Sequence, residues 1–286
     1  MTAFDLSGPT AVHVELSVGS VHVIATDRAD AEVTVTPADP GDERDVRAAR
    51  AATAELVDGR LEIRGPRPRI PILEPLIGPR QRAGYISVVI EAPEDSDLDI
   101  RADAADVRAD GRFGEVRAGT GVGNIRIDHS RALRAETSGG DVLIEQVDGN
   151  ATVTGGGEIR IGRIDGTAEV QNINGPITIG EVTGRLKAKS ANGDVTVGHA
   201  AADVTALTAS GRVRVGEVVR GNVSLKSGAG AIEVGIRDGT AAWVDARSKF
   251  GRVHNDLEAA DGPGVGTDTA EIRILTGTGD IHIRRA

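Results

Sequence analysis

The sequence contains no cysteine, which excludes disulfides, thiol nucleophiles and cysteine metal clusters. Aromatic residues make up only 2% of it. That removes the stacking platforms used on single-stranded nucleic acid and leaves a core of Val, Ile, Leu and Ala. No apolar run approaches the roughly 18–20 residues of a membrane helix. The opening MTAFDLSGPTAVHVELSVGS has no basic segment followed by a long apolar one, so no secretory leader is read there and a soluble cytoplasmic protein is expected. Positive charge is in deficit, with a formal net charge of −10. Such a chain repels phosphate backbones, and nucleic acid is not an expected partner.

What the sequence has in quantity is glycine, 38 of 286 residues, and the glycines are periodic. Gly123, Gly140, Gly157, Gly175, Gly193, Gly211 and Gly230 are separated by 17, 17, 18, 18, 18 and 19 residues. After each comes an apolar pair at the same offset: Ile125/Ile127, Val142/Ile144, Ile159/Ile161, Ile177/Ile179, Val195/Val197, Val213/Val215 and Ile232/Val234. Between markers the alternation has period two, as in Leu186 and Ala188, and Val182 stands alone as a short third side. One such unit cannot bury its own apolar residues. Stacked at about 4.8 Å, the units pair every strand above and below and line up the Val and Ile side chains in one core. The fold class is therefore all-β, a single-chain β-solenoid with coils of about 18 residues. The wider spacings to Gly251 and Gly279 imply inserted chain, with a loop over about 255–269.

Residues 1–100 are less regular and read as an N-terminal β cap on the solenoid of 101–286, the two forming one continuous structural unit. Residues 11–36 alternate like a meander of strands. Asp42 is placed to cap a short helix over about 42–55. Five prolines within residues 65–84 predict a long loop. Arg284 and Arg285 would blunt the last edge by charge.

The segments SGGDVLI (138–144), NGDVTVG (192–198) and TGDIHIR (278–284), with AVHVELSVGSVHV (11–23) and ISVVIEAPEDSDLDI (86–100), resemble the bacterial "putative adhesin" β-strand-repeat family of unknown function, common in actinobacteria. The resemblance covers nearly the whole chain. It implies a β-helix-like fold, an adhesin label and, if that label holds, a place at the cell surface. It supplies no catalytic residues.

Chemistry-bearing constellations are sparse. Asp141 and Glu158 follow marker glycines on successive coils, an acid/base spacing, but Pro176 breaks the row. Asp256, Glu258, Asp261 and Asp268 form a weak calcium candidate. The six histidines form no HxH or HExxH motif, although His254 and His282 share one outward position. No metal or other cofactor is expected. Two candidate interaction surfaces remain. One is the apolar set Ile70, Ile72, Leu73, Leu76 and Ile77 in the Pro-rich loop, which must fold back or meet a partner. The other is basic: Arg185, Lys187 and Lys189, with Lys226 two coils on. The function read from this is a non-enzymatic, adhesin-like scaffold for an unidentified protein or glycan. Self-association into a structural scaffold is the alternative, and a polysaccharide-active enzyme a remote one.

Overall fold

The computed structural model describes residues 2–6, 8–66, 84–258 and 268–286. Their contacts divide into two units, one of residues 1–130 and 135–139, the other of residues 131–134 and 140–286. The first holds β1 (Thr2–Asp5), β2 (Ala11–Thr26), β3 (Asp30–Pro37), α1 (Glu43–Ala51), β4 (Thr53–Val57), β5 (Arg60–Arg64), β6 (Ile86–Pro93), β7 (Asp97–Val122) and most of β8 (Ile125–Gly139). The second holds β9 (Val142–Val147), β10 (Ala151–Gly155), β11 (Ile159–Ile164), β12 (Ala168–Asn174), β13 (Ile177–Val182), β14 (Leu186–Asn192), β15 (Val195–Ala200), β16 (Val204–Ser210), β17 (Val213–Val218), β18 (Gly221–Ala229), β19 (Ile232–Ile236), β20 (Ala241–Phe250), β21 (Val253–Asn255), β22 (Thr269–Thr278) and β23 (Ile281–Arg285). The protein is a β-solenoid, as the glycine period requires.

In the second unit each coil contributes two strands, and like strands stack in parallel. Val142, Ile159, Ile177, Val195, Val213 and Ile232 are successive register partners, as are Ala151, Ala168, Leu186, Val204 and Val223. All of them are buried. The lone Val182 is also fully buried, paired with Ile164 and Ala200, and makes the short third side. Each apolar pair named from the sequence lies inside. The corners explain the marker glycine. At Gly193 φ is +143°, and a Cβ there would lie 2.0 Å from the Gly175 carbonyl oxygen on the coil before. No side chain fits between corners stacked this closely.

The far end of this unit departs from simple winding. β22 pairs with β18 on one side and β20 on the other, and β23 pairs with β19 and β21. The stretch 269–285 therefore lies between the coil of 221–236 and the outermost coil, 241–255. The long interval before Gly279 reflects this return. Arg284 and Arg285 consequently do not guard an edge. Arg284 pairs with Glu233 at 3.3 Å, and the Arg285 guanidinium donates to the carbonyls of Arg237 and Thr240.

The first unit uses the same device. β2 pairs in parallel with β7 over Ala11–Ile24, and along its other edge with β5 and then β6. Residues 11–26 thus form a solenoid coil, not a turn of a meander: alternation fixes which side chains face inward but not which strand lies alongside. Outside this stack the chain turns antiparallel. β3 covers β6, β1 pairs with β3, and β4 pairs with β5. Leu61 and Ile63 on β5, and Ile86, Val88 and Ile90 on β6, are buried.

The helix expected over 42–55 runs only from Glu43 to Ala51, with Asp42 as N-cap accepting from the Arg44 N–H. It stops because Thr53–Val57 is claimed by a hairpin with β5, turned by Asp58-Gly59 at φ 49° and 77°. An Asp-Gly pair between alternating segments is a strong hairpin signal. The helix-forming composition of 42–55 masked it. Buried Asp45 accepts from the backbone N–H groups of Asp39 and Tyr85 at 3.1 and 2.7 Å, pinning both ends of the excursion that carries the helix.

Candidate interaction face

Two polar ladders determine which side chains of the solenoid are left over for function. In the first, the residue that opens the strand after a corner, preceded by glycine at Asp141, Asp194 and Asp280 and by Ala105 at Asp106, reaches to the next coil. The carboxylates of Asp106, Asp141 and Asp194 accept the backbone N–H of Asn124, Glu158 and Arg212 at 2.8, 2.8 and 2.7 Å. Asp280 does the same for Arg252. Asn150 and Asp203 repeat the pattern at the other corner, accepting from Thr167 and Asn222. These N–H groups lie where the strand ladder is interrupted by the turn, and an acceptor from the neighbouring coil satisfies them. This is the physical content of the recurrent Gly-Asp. The acid/base spacing of Asp141 and Glu158 is accordingly a structural bond, and the Glu158 carboxylate itself pairs with Arg160 at 2.6 Å.

The second ladder lies inside. Asn172, Ser190, Thr208, Ser227 and Thr276 are register partners along one inward row. Thr208, Ser227 and Thr276 donate to the carbonyls of Gly193, Gly211 and Gly230 at 3.0, 2.8 and 2.9 Å. Thr137 serves Gly123 in the same manner in the first unit. Asn172 is longer and its amide spans two carbonyls, Gly157 and Gly175, at 2.7 and 2.9 Å. It takes the acceptor that register would give Ser190, whose buried hydroxyl has no partner among the described residues. No reading of the sequence anticipated either ladder, although both recur with the glycine period.

The basic candidates lie on the outer side of β14 (Lys187, Lys189) and β18 (Lys226), with Arg185 immediately before β14. Arg185 approaches Asp203 at 3.5 Å, and Lys187 bonds Glu169 at 2.6 Å. The bond from Lys187 holds the Glu169 carboxyl below the usual carboxylate range, and the backbone N–H of Asn222 does so first for Asp203. Lys189 and Lys226 belong to one outward row, Lys189–Leu207–Lys226–Leu275, and both are exposed. Neither makes an ion pair among the described residues. Leu275 in that row is 42% exposed. The structure thus places all four basic candidates on one face, two neutralised and two open, with leucines between. Ile70, Ile72, Leu73, Leu76 and Ile77 lie outside the described residues.

The other constellations resolve into local contacts. His254 and His282 stack with ring centroids 4.8 Å apart, as their shared register position implies. Asp268 approaches Arg220 at 3.6 Å, and Asp261 lies outside the described residues. Among the described residues no group of three or more His, Cys, Asp or Glu could hold a metal ion. An open groove of about 620 Å³ in the first unit is lined by Glu15, Arg101, Asp103, Thr120 and Glu136. No helix among the described residues is long and apolar enough to cross a membrane.

A parallel β-solenoid with repeated corner glycines, their carbonyls met by an inner polar ladder, defines a structural class. Within that class the chain belongs to the Toastrack DUF4097 family, whose model matches residues 10–284. No curated protein matches it. Solved structures similar to it include a "putative cell adhesion protein" from Clostridium sporogenes, at 10% identity over 100% of this chain and 97% of that one, with a TM-score of 0.25. A "putative adhesin" from Bacteroides fragilis matches at 11% identity over 99% and 95%, with a TM-score of 0.33. A "putative lipid binding protein" from Parabacteroides distasonis matches at 12% over 99% and 95%, with a TM-score of 0.40.

Proposed function

We propose that the protein is a non-catalytic, adhesin-like binding scaffold, and that the face bearing Arg185, Lys187, Lys189 and Lys226 is where it holds an acidic partner. The observation that carries this is the outward row Lys189–Leu207–Lys226–Leu275. It offers two cations without an ion pair among the described residues, two coils or about 10 Å apart at the strand spacing, with Leu207 between them. A rigid ladder of this kind matches a polymer that repeats carboxylates along its length, an acidic glycan or an acidic protein segment. Two features support a binding role over catalysis. Asp141 and Asp194 are spent on backbone bonds, and Glu158 and Glu169 on ion pairs. On this face the two cations without an ion pair among the described residues, Lys189 and Lys226, stand too far apart to act on one bond.

Because the whole chain is acidic, the strip works at short range, and its affinity falls with salt. The experiment is titration of immobilised polygalacturonate and poly-glutamate with the purified protein. Lys189→Glu with Lys226→Glu is expected to weaken binding to one of them at least about tenfold, or 1.4 kcal/mol, with circular dichroism unchanged. Equal binding by the double variant, or no binding by the wild type to either polymer, removes the proposal. Fractionation of the native cells, with protease applied to intact cells, decides separately whether the contact is made at the surface.

A further inference from the structure

The outermost coil of the second unit differs from every other coil. Its strand β20 pairs with β22 on one side and with no strand on the other among the described residues. Residues that would be buried in an interior coil are not buried here. Val244 and Ala246, register partners of buried Ile272 and Ile274, are half-buried, and Val253, partner of buried Ile281, is 45% exposed. Trp243, the one tryptophan of the chain, is 57% exposed. An unpaired edge of this kind is a template for another strand.

We propose that the occupant is a second copy of the same edge, antiparallel, centred on Ala246. The direction of the free bonds comes first. Ala241 N–H donates to Asp268 O in the chain leading into β22, at 2.8 Å. By strand alternation, residues 242, 244, 246 and 248 turn their N–H and C=O groups away from β22 and toward the open side. In an antiparallel pair about a two-fold axis at Ala246, Ala246 meets its own copy and Val244 meets Ser248, so the outward-turned groups satisfy one another. The same register sets Asp245 opposite Arg247 of the other copy, twice, and brings Trp243 within reach of Lys249, twice. A shift by two residues loses both matches and sets Arg247 opposite itself in one direction and Asp245 opposite itself in the other. Asp245 and Arg247 already attract each other within the strand, at 3.1 Å, and the pairing adds the second contact each can accept. This proposal concerns the strand edge and is independent of the basic face.

The test is mass by light scattering or sedimentation across a wide range of protein concentration. The wild type is expected to shift from 29.6 kDa to twice that value as concentration rises. Asp245→Arg alone and Arg247→Asp alone are each expected to stay monomeric, since each sets like charges opposite. Mixing the two variants restores dimers, because a strand with arginine at both positions then faces a strand with aspartate at both. Repair of a pair within one strand cannot produce that result. Ala246→Pro is the second route. Its lost N–H points to the open side, so the fold is retained and the dimer is lost. A wild type that stays monomeric, single variants that still dimerise, or a mixture that stays monomeric each overturns the proposal.

Discussion

Replacement of Gly193 by Ala tests the corner-stacking argument at one atom. The added methyl carbon would stand 2.0 Å from the Gly175 oxygen, 2.6 Å from its carbonyl carbon and 3.2 Å from Pro176 N. All three are backbone atoms of the neighbouring coil, so no side chain can swing aside. Two costs combine. Holding a non-glycine residue at φ +143° costs about 1–3 kcal/mol, and forcing an extra carbon into a packed site costs about 1–3 kcal/mol more. The sum is about 2–6 kcal/mol. Gly239 separates the two. It sits in the same unit at φ +85°, with nothing within 4 Å of its would-be Cβ. Gly239→Ala therefore bears the conformational cost alone, about 1–3 kcal/mol. The assay is thermal unfolding by circular dichroism, with hydrogen exchange on the two variants. Gly193→Ala is expected to unfold at the lower temperature and to lose protection first in residues 177–182 and 195–200, the strands that follow the two clashing corners. If the Gly193 variant is as stable as the Gly239 variant, contact between stacked corners is not what requires glycine there.

Three further outcomes follow from the ladders. Asp194→Ala leaves the Arg212 N–H without its acceptor and should cost about 1 kcal/mol in chemical denaturation, while Asp194→Asn, which keeps an oxygen, should cost less; equal losses would refute a hydrogen-bonding role. Thr208→Val removes the donor to Gly193 O and should also cost about 1 kcal/mol, whereas Ser190→Ala removes a hydroxyl with no partner among the described residues and should be neutral or stabilising; the reverse ranking would contradict the assigned inner ladder. Asp203 and Glu169 have folded pKa values below their ordinary 3.8 and 4.5, so their contribution is present at neutral pH and is lost as pH falls below about 4. Melting temperature should drop over that range, and Asp203→Asn should flatten the drop; an unchanged acid profile in the variant would show that Asp203 is not a source of it.

The middle of the molecule was legible because period, turn residue and apolar pair all repeat at one spacing, so that Ile177 predicts where Val195 must lie. The ends were not, because strand order there departs from chain order. Nothing local in residues 11–26 records that β5 and β6 will lie on one edge and β7 on the other, and nothing local in 241–255 records that 269–285 will slide in beneath it. The Asp-Gly at 58–59 was readable and was outweighed by the alanines and arginines before it. For the candidate face, the sequence located Lys189 and Lys226 on one side but could not show that Glu169 neutralises Lys187. That pairing depends on register across a coil. The Gly-Asp carboxylates sit at exposed corners, but spacing alone could not show that each accepts a backbone N–H of the neighbouring coil, because that bond depends on how the corners stack.

The interleaved order of the last three coils has a consequence for synthesis. A ribosome delivers 241–255 before 269–285 exists. During that interval, on the order of a second or more at the usual 5–20 residues per second, the free edge available to the emerging strand 241–250 is that of β18. That is the berth β22 must later occupy. The nascent chain therefore meets a competitor of its own making, and completion requires either that 241–255 be held off or that 269–285 displace it. Either route makes the insertion of 269–285 between β18 and β20 the last step at this end, and the slow phase of folding is expected there and not in the regular coils before it.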